Sequence, residues 1–362
     1  MKIVMILTNR FDPDVRVYKE AKYLVENGHE VEILCWDREN EYLEKSIENI
    51  EGIMVKRFFP YSKYGSGIKQ VVPFTRFILE VNKYLSNVEY DFLHCHDLDG
   101  VFTGYFVRRK NIPLVFDMHE YYEMQKSNKI IRIIVKIIVR FFQKKAYKII
   151  YVNEYQIMSL RNTVKTKCIY LPNYPDKSNF QNPRKTVSEK LRISYIGIVG
   201  QFKQLKNLMD ASRGISEVSI SIHGNGIAFE RLKAIEDEYD NVTITGKYRF
   251  DESEKLYNDT DLHYVVYSMN NVQNKLSEPV KFYESIATKT PMIVNEGSKI
   301  GKFVQENRIG YTIDGDKIED IRELILFIQK NSEELKRFEK NLENIKDKYI
   351  WQNVVTNLSQ IY

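Results

Sequence analysis

The sequence predicts an α/β protein made of two parallel-sheet domains. The first observation is the length of 362 residues, which is more typical of two domains than of one. The second is a strand–helix–strand pattern at the start of the chain. The third is the return of this pattern after a polar linker at residues 176–190, which follows two prolines. We therefore expect two Rossmann-like domains facing a cleft, one over residues 1–175 and one over residues 190–346.

The opening pattern is the clearest part of the first domain. Residues 2–8 (KIVMILT) are a short apolar run, as in a buried parallel strand. Residues 16–27 have the apolar spacing of a helix, and Gly28 is expected to end it before the next strand. A dinucleotide site would place G-x-G-x-x-G after the first strand, but residues 9–14 contain no glycine. The sequence therefore disfavours a dehydrogenase.

Two polar clusters follow later predicted strands of this domain. They are residues 94–97 (HCHD) and residues 117–120 (DMHE). Ligands gather at the carboxyl ends of parallel strands, so both clusters are expected to border one cleft. The metallohydrolase pattern HxHxDH fails at Leu98 and Asp99, so we expect no metal site. His94 is expected to orient loop backbone.

The positive charge of the chain is concentrated in one region. The net charge is +5, and residues 101–175 contribute +10, from 14 Lys and Arg against 4 Asp and Glu. Residues 126–148 hold eight cations and no acid, with cations recurring every three or four residues among Ile, Val and Phe. This pattern predicts an amphipathic helix on an anionic membrane surface. The alternative is a helix whose apolar side packs on the sheet, and nucleic-acid binding is disfavoured because no interleaved aromatic pattern accompanies the charge.

Cysteine usage and hydropathy indicate the compartment. Cys35, Cys95 and Cys168 lie far apart and form no CxxC pair, so neither a disulfide framework nor a structural zinc site is expected. The chain has no apolar run of about 18 residues and starts with a predicted strand, so neither a membrane span nor a signal peptide is predicted. We expect a cytoplasmic protein that is peripherally associated with the inner face of the membrane.

Residues 274–294 (NKLSEPVKFYESIATKTPMIV) carry the main functional pattern. Ser277 and Pro279 are typical of a helix start. Lys281 and Glu284 are three residues apart, so they share one face near the helix N-terminus. A cation there can hold a diphosphate, and a carboxylate one turn on can accept hydrogen bonds from ribose hydroxyls. The pattern predicts a nucleotide-diphosphate site, with a solvated Lys–Glu pair on an ordinary helix as the alternative.

The same segment resembles a known family. Residues 279–293 are similar to the PNKLFEYMAAGKPVI segment of family 4 glycosyltransferases of the GT-B fold. Residues 14–31 are similar to the family's N-terminal pattern DxRVxxEAxxLxxxGHEV. The family's E-x7-E spacing is not kept, because only five residues separate Glu278 from Glu284. The resemblance implies that Lys281 contacts the diphosphate of the donor and that Glu284 contacts its ribose.

Further donor-site residues follow from this resemblance. Residues 197–207 are similar to the donor loop of the family, and Ile198 stands where an arginine is usual. Lys206 is expected to replace that arginine, and Lys203 is the second candidate for this role. The other residues expected to bind the nucleotide are Gly224, Gly246, Lys247 and Glu278.

The resemblance also concerns the acceptor side and the last residues. Residues 117–120 are similar to the family's DxHE segment, which implies that His119 and Glu120 face the acceptor sugar. Residues 347–362 resemble a closing helix that packs back on the first domain. The expected catalytic set is therefore His119, Glu120, Lys206 and Lys281.

The implied activity is that of a retaining, metal-independent hexosyltransferase. It would move a sugar from a nucleotide diphosphate sugar to a glycan acceptor in the synthesis of cell-surface polysaccharide or glycan. We expect this acceptor to be lipid-linked. No cofactor besides the donor substrate is expected. A nucleotide-sugar 2-epimerase of the same fold and a non-catalytic, membrane-docked subunit remain as alternatives.

Overall fold

A computed structural model describes residues 1–12, 14–63, 65–124, 128–180, 186 and 188–362 of the chain. The chain divides into two compact units, each with its own sheet. Unit 1 comprises Met1–Asn173 and Val354–Tyr362, and unit 2 comprises Tyr174–Asn353. Residues 126 and 127 of the predicted basic helix and residues 181–185 and 187 of the predicted linker lie outside the described residues.

Unit 1 is built on a sheet of eight strands with helices on both faces. Its strands are β1 (Lys2–Leu7), β2 (Glu30–Trp36), β3 (Ile47–Ile50), β4 (Ile53–Phe58), β5 (Phe92–His96), β6 (Leu114–Met118), β7 (Lys148–Tyr151) and β8 (Cys168–Tyr170). Its helices are α1 (Val15–Glu26), α2 (Val71–Leu85), α3 (Asp97–Val107), α4 (Lys129–Lys145), α5 (Glu154–Ser159) and α6 (Asn162–Lys165). The strand order is β3-β4-β2-β1-β5-β6-β7-β8, and every pairing is parallel except that of β3 with β4.

The apolar strands of unit 1 separate two buried layers. One layer joins the sheet to α1 through side chains such as Ile3, Met5 and Val17. The other joins it to α2, α3 and α4 through side chains such as Phe77 and Phe142. Because the chain order reverses between β1 and β5, the loops after these strands lie where parallel sheets bind ligands.

Unit 2 repeats this architecture with a six-stranded parallel sheet. Its strands are β9 (Leu191–Ile196), β10 (Val218–His223), β11 (Val242–Gly246), β12 (Leu262–Val265), β13 (Met292–Asn295) and β14 (Gly310–Ile313). Its helices are α7 (Phe202–Ser212), α8 (Phe229–Lys233), α9 (Ser253–Asn258), α10 (Val272–Leu276), α11 (Val280–Ala287), α12 (Lys299–Asn307), α13 (Ile318–Lys330) and α14 (Glu333–Ile345). The order β11-β10-β9-β12-β13-β14 reverses between β9 and β12. The predicted α/β class with two Rossmann-like units is confirmed.

The last residues differ from the predicted closing helix. Instead of one helix over residues 347–362, the chain makes three short 3-10 turns, Lys346–Lys348, Trp351–Asn353 and Val355–Gln360. The Asn353 side-chain amide donates to the carbonyl of Asp347 at 2.6 Å, which closes the chain locally. The prediction of a continuous helix is therefore wrong. Residues 354–362 group with unit 1, where the Tyr362 hydroxyl lies 2.7 Å from His94 Nδ1.

The start of the functional helix also differs from the prediction. Ser277 ends α10, and α11 begins at Val280 with Pro279 as its N-cap residue. The Ser277 hydroxyl donates backwards to the carbonyl of Asn274, at 3.4 Å, and it caps no N–H group of α11. Ser277 therefore lies between two short helices and does not start the helix that carries Lys281. Among the described helices, none has the length and apolar character needed to cross a membrane.

Candidate functional site

Lys281 is a buried cation in the first turn of α11. Lys281 is only 9% exposed, and its Nζ lies 3.6 Å from the centroid of the Tyr195 ring. Among the described residues, none accepts a hydrogen bond from this Nζ. Burial lowers the pKa of Lys281 to about 7, although the nearby Glu284 carboxylate raises it. A buried cation without an acceptor is costly, so this position suits a bound anion.

Glycines make room for Lys281 at the carboxyl ends of two strands. Gly197 follows β9 with φ of 130°, and a Cβ there would lie 2.8 Å from both Cε and Nζ of Lys281. A Cβ on Gly224, which follows β10, would lie 1.9 Å from the carbonyl oxygen of Gly197. Gly224 N in turn donates to the carbonyl of Gly246 at 2.7 Å. These close approaches exclude larger side chains at positions 197 and 224. The Lys281 side chain can therefore lie against the backbone of Gly197.

Glu284 lies one turn after Lys281 and is held by a buried tyrosine. The hydroxyl of Tyr257, a fully buried residue, donates to Glu284 Oε2 at 3.0 Å. Burial and the Glu284 carboxylate raise the pKa of Tyr257, so this hydroxyl keeps its proton. Next to Glu284, the Ser285 hydroxyl lies 2.5 Å from Nδ1 of the buried His263. The body of the unit therefore fixes α11, with Lys281 and Glu284 at the carboxyl edge of the sheet.

The other predicted donor-site cations form their own ion pairs. Lys206 Nζ lies 2.6 Å from Asp210, one turn further along α7, and Lys203 Nζ lies 3.0 Å from Asp316. Glu278 pairs with Lys299 at 2.9 Å. Within the described residues, neither an ion pair nor a hydrogen bond joins Lys203, Lys206 or Glu278 to Lys281. Ile198 is 79% exposed, and Lys247 is exposed just after β11.

The two polar clusters of unit 1 meet, as their sheet positions predicted. The His96 and His119 ring centroids are 5.5 Å apart, at the ends of adjacent strands β5 and β6. Asp117 Oδ2 lies 2.8 Å from His119 Nε2, 3.1 Å from His96 Nδ1 and 3.0 Å from Arg16 Nε, which donates to it. Asp117 therefore contacts His96, His119 and Arg16 at once and holds the cluster together.

His119 lies between two carboxylates. Its Nε2 contacts Asp117, and its Nδ1 lies 3.2 Å from Asp97 Oδ2. Burial alone would lower the pKa of His119, but Asp97 and Asp117 outweigh it and hold this pKa well above 6.5. Asp97 is held at φ of 62° at the start of α3 and accepts a hydrogen bond from the Tyr122 hydroxyl. The raised pKa favours the imidazolium form of His119 near neutral pH, and Glu120 beside it is exposed.

Four of these buried side chains also have donor atoms close enough for a metal ion. One atom from each of Glu20, His94, His96 and Asp117 lies within 4.8 Å of the others. The Arg16 guanidinium already lies 3.0 Å from Glu20 Oε1 and 2.9 Å from Asp117 Oδ1. Burial raises the pKa of Glu20, although the neighbouring Arg16 guanidinium lowers it. We therefore assign this cluster to an arginine-centred network.

Several residues of these sites were missed by sequence reasoning. Tyr195, Tyr257 and His263 are ordinary members of predicted strands or helices, and no local motif distinguishes them. Their roles arise from contacts with α11, which is distant in sequence. Gly197 carried a signal, since it begins the predicted donor loop.

Comparisons with known proteins agree with this architecture. The sequence profile of the family described as Glycosyltransferase Family 4 matches residues 14–174. No sequence among the curated proteins matches the chain. Sucrose-phosphate synthase from Thermosynechococcus elongatus is similar in structure, with a TM-score of 0.81 at 14% identity, covering 100% of this chain and 98% of that one.

Two further solved structures are similar over both units. Anabaena HepE in complex with UDP-glucose has a TM-score of 0.72 at 13% identity, with 100% of both chains covered. WaaG, described as a glycosyltransferase involved in lipopolysaccharide biosynthesis, has a TM-score of 0.70 at 11% identity, covering 100% of this chain and 99% of that one. The chain therefore contains a segment, residues 14–174, that matches Glycosyltransferase Family 4, and its two units have the fold of GT-B glycosyltransferases.

Proposed function

We propose that this enzyme transfers a hexosyl group from a nucleotide diphosphate sugar to a glycan acceptor, with retention of anomeric configuration. The observation that carries the proposal is Lys281, a buried cation with no described acceptor, at a helix N-terminus beside Gly197. Such a site matches the two negative charges of a departing diphosphate. The similar HepE structure contains UDP-glucose, which supports a nucleotide sugar as the donor class.

The chemistry needs stabilisation of charge that develops on the leaving diphosphate. Lys281 and the N–H groups at the start of α11 are fixed before the reaction, so they stabilise this charge without reorganisation. Glu284, one turn on, orients the donor by accepting hydrogen bonds from the ribose, and Tyr257 holds its carboxylate for this role. Positive charge from protein groups supplies the stabilisation that a divalent ion would provide, so we propose a metal-independent reaction.

The remaining predicted residues take supporting roles in this proposal. We assign His119 and Glu120 of unit 1 to the acceptor sugar, with His119 supplying positive charge as an imidazolium. Gly224 and Gly246 shape the loops of unit 2 where the base of the nucleotide is placed. Lys203, Lys206, Lys247 and Glu278 stay secondary candidates that would have to exchange their present contacts for the donor.

We further propose that α4 docks the enzyme on the inner face of a membrane and that the acceptor is lipid-linked. Exposure of apolar side chains supports this, since Ile130, Ile133 and Ile137 are 69%, 59% and 62% exposed. In contrast, only Val139, Phe142 and Gln143 of this helix are buried. Apolar side chains exposed between cations fit the boundary between acyl chains and anionic headgroups. A helix that only packed on the sheet would bury its isoleucines.

Turnover by purified variants tests the donor site. Lys281→Ala should lower turnover by about 100-fold or more, as when one preorganised charge is removed from a leaving group. Glu284→Ala should weaken binding of the nucleotide sugar, while Lys302→Ala, on the exposed surface of α12, should behave like the parent. Parent-like binding and turnover in both donor-site variants would show that the site is wrongly assigned.

Product analysis separates the alternatives. Sugar transfer to a lipid acceptor by the purified protein alone supports the proposed activity. Conversion of the donor to its 2-epimer without an acceptor would instead identify a nucleotide-sugar 2-epimerase. Donor binding without turnover, with activity restored only by a partner protein, would indicate a non-catalytic subunit.

A further inference from the structure

Unit 1 contains a cavity of about 320 Å³ at the carboxyl ends of β1 and β2. This volume falls in the range of about 300–1,000 Å³ that small-molecule sites occupy. Its charged lining consists of two guanidinium groups, Arg10 and Arg38, and four carboxylates, Asp12, Asp14, Asp37 and Glu39. The formal charge of the lining is therefore 2 − 4 = −2.

Asp37 is the most informative residue of this lining. It is fully buried, and its Oδ2 accepts a hydrogen bond from the backbone N–H of Tyr42 at 2.7 Å. No described residue donates a hydrogen bond to its Oδ1. An unpaired buried carboxylate oxygen is costly, and a hydroxyl donor from a bound molecule would satisfy it.

The two sequence neighbours of Asp37, Trp36 and Arg38, also line the cavity and are held by contacts of their own. The Arg38 guanidinium lies 4.5 Å from the centroid of the Trp36 ring and donates to the carbonyl of Thr8. Trp36 itself stacks on Phe77 with ring centroids 5.6 Å apart, and its indole N–H donates to the carbonyl of Pro60 at 2.8 Å. The cavity is thus formed before any ligand binds, which reduces the entropy cost of binding.

We propose that this cavity binds a neutral, hydroxyl-rich sugar, as a subsite for the acceptor glycan; this inference rests on the proposed function. Sugar hydroxyls donate to carboxylates and accept from guanidinium groups, and the lining presents both. The net negative charge disfavours phosphate or uronate groups in the same place. The cavity therefore selects acceptors by neutral hydroxyls, separately from the donor site in unit 2.

Binding of simple glycosides to the full-length protein tests this directly. The probes are the methyl glycosides of glucose, galactose, mannose and N-acetylglucosamine, with glucose 6-phosphate as the anionic comparison. Saturation-transfer NMR titrations should show at least one neutral glycoside binding more tightly than the phosphate. Asp37→Asn should weaken that glycoside about tenfold or more, the loss expected for one charge-assisted hydrogen bond. Glu44→Gln, a change at an exposed carboxylate nearby that does not line the cavity, should leave it unchanged.

A second variant keeps the test valid if Asp37→Asn does not fold. Glu39 is exposed at the cavity, and Glu39→Trp should fill its mouth and abolish glycoside binding while the protein stays folded. Unchanged glycoside affinity in this folded variant, or tighter binding of glucose 6-phosphate in the parent, would overturn the proposal.

Measurements of donor binding distinguish a failure of the subsite from a failure of the proposed function. Binding of UDP, ADP and GDP should be the same in Glu39→Trp as in the parent, while the KM for a sugar acceptor should rise. Loss of donor turnover in Lys281→Ala together with an unaltered acceptor KM in Glu39→Trp would refute the subsite alone. Glycoside binding that Glu39→Trp abolishes, in a protein without sugar-transfer activity, would refute the proposed function and retain the subsite.

Discussion

Replacing Lys281 with methionine should stabilise the protein without ligand while it weakens binding of the donor diphosphate. Methionine keeps most of the aliphatic contacts of the lysine stem and removes the charge. The buried ammonium has no described hydrogen-bond acceptor, so its removal relieves a cost that the ligand-free fold carries. A gain in stability coupled to a loss of function is expected of a site that is preorganised for an anion.

The size of this effect follows from the change in pKa. Burial lowers the pKa of Lys281 from 10.5 to about 7, and each pKa unit is about 1.4 kcal/mol. Between pH 7 and pH 10.5 the unfolded chain binds more protons at this residue than the folded chain, so wild-type stability rises with pH. The cost is roughly 5 kcal/mol at pH 6 and roughly 2 kcal/mol at pH 9. The advantage of Lys281→Met should shrink accordingly.

Calorimetric unfolding of the two proteins at pH 6, 7.5 and 9 measures this change. The variant should gain several degrees in the transition that contains unit 2 at pH 6 and less at pH 9. Lys302→Met, which removes a charge from a side chain that is 78% exposed, should show no such pH-dependent gain. A variant less stable than the parent at pH 6, or a gain that does not shrink by pH 9, would refute the reasoning.

Three further predictions concern the metal, the membrane and the positioning of Glu284. Activity should survive EDTA, because Lys281 and the start of α11 supply the positive charge; loss on chelation and recovery with a divalent ion would show otherwise. Changing Arg132, Lys136 and Arg140 together to Glu should release the protein from anionic liposomes at low salt without altering donor binding, since each cation near such a surface contributes about 1 kcal/mol. The matched control reverses three lysines of unit 2, Lys302, Lys317 and Lys330, and a wild-type protein that ignores these liposomes would contradict the docking. Tyr257→Phe should reduce the preference for UDP over 2′-deoxy-UDP, or for the equivalent pair of the preferred base, by up to about tenfold; an unchanged preference would exclude this positioning role.

The fold was predictable because its signals are local. The apolar runs at β1 and β9 and the glycine after α1 decide strand and helix ends within a few residues. The end of the chain was not predictable in this way. There the Asn353 side chain competes for backbone carbonyls and replaces a helix with short turns.

The candidate site was predictable only in part. Lys281 and Glu284 are neighbours on one helical turn, so their spacing is enough to pair them. Tyr195 of β9 contacts Lys281, and Tyr257 of α9 donates a hydrogen bond to Glu284. Such contacts between distant segments cannot be predicted from sequence spacing. The role of Lys206 stays a prediction, and its ion pair with Asp210, one turn further along α7, was not expected from the sequence.

The basic helix shows what a periodic pattern leaves open. The sequence indicated that α4 is amphipathic, but both a membrane surface and the sheet could have covered its apolar side. The structure buries only a short part near its C-terminal end, around Val139 and Phe142, and leaves its isoleucines exposed. Which arc of a helix is covered depends on the neighbouring helices and cannot be read from the helix alone.

The central claim is that Lys281 holds the diphosphate of the donor, and nucleotide titrations test it most directly. Calorimetric titrations at pH 6.5 would compare UDP, ADP and GDP with their monophosphates on the parent, Lys281→Met and Lys302→Met. We predict that at least one diphosphate binds the parent and Lys302→Met about tenfold or more tightly than its monophosphate. In Lys281→Met this preference should disappear, with the monophosphate affinity nearly unchanged. A preference for the diphosphate that persists in Lys281→Met would contradict the claim.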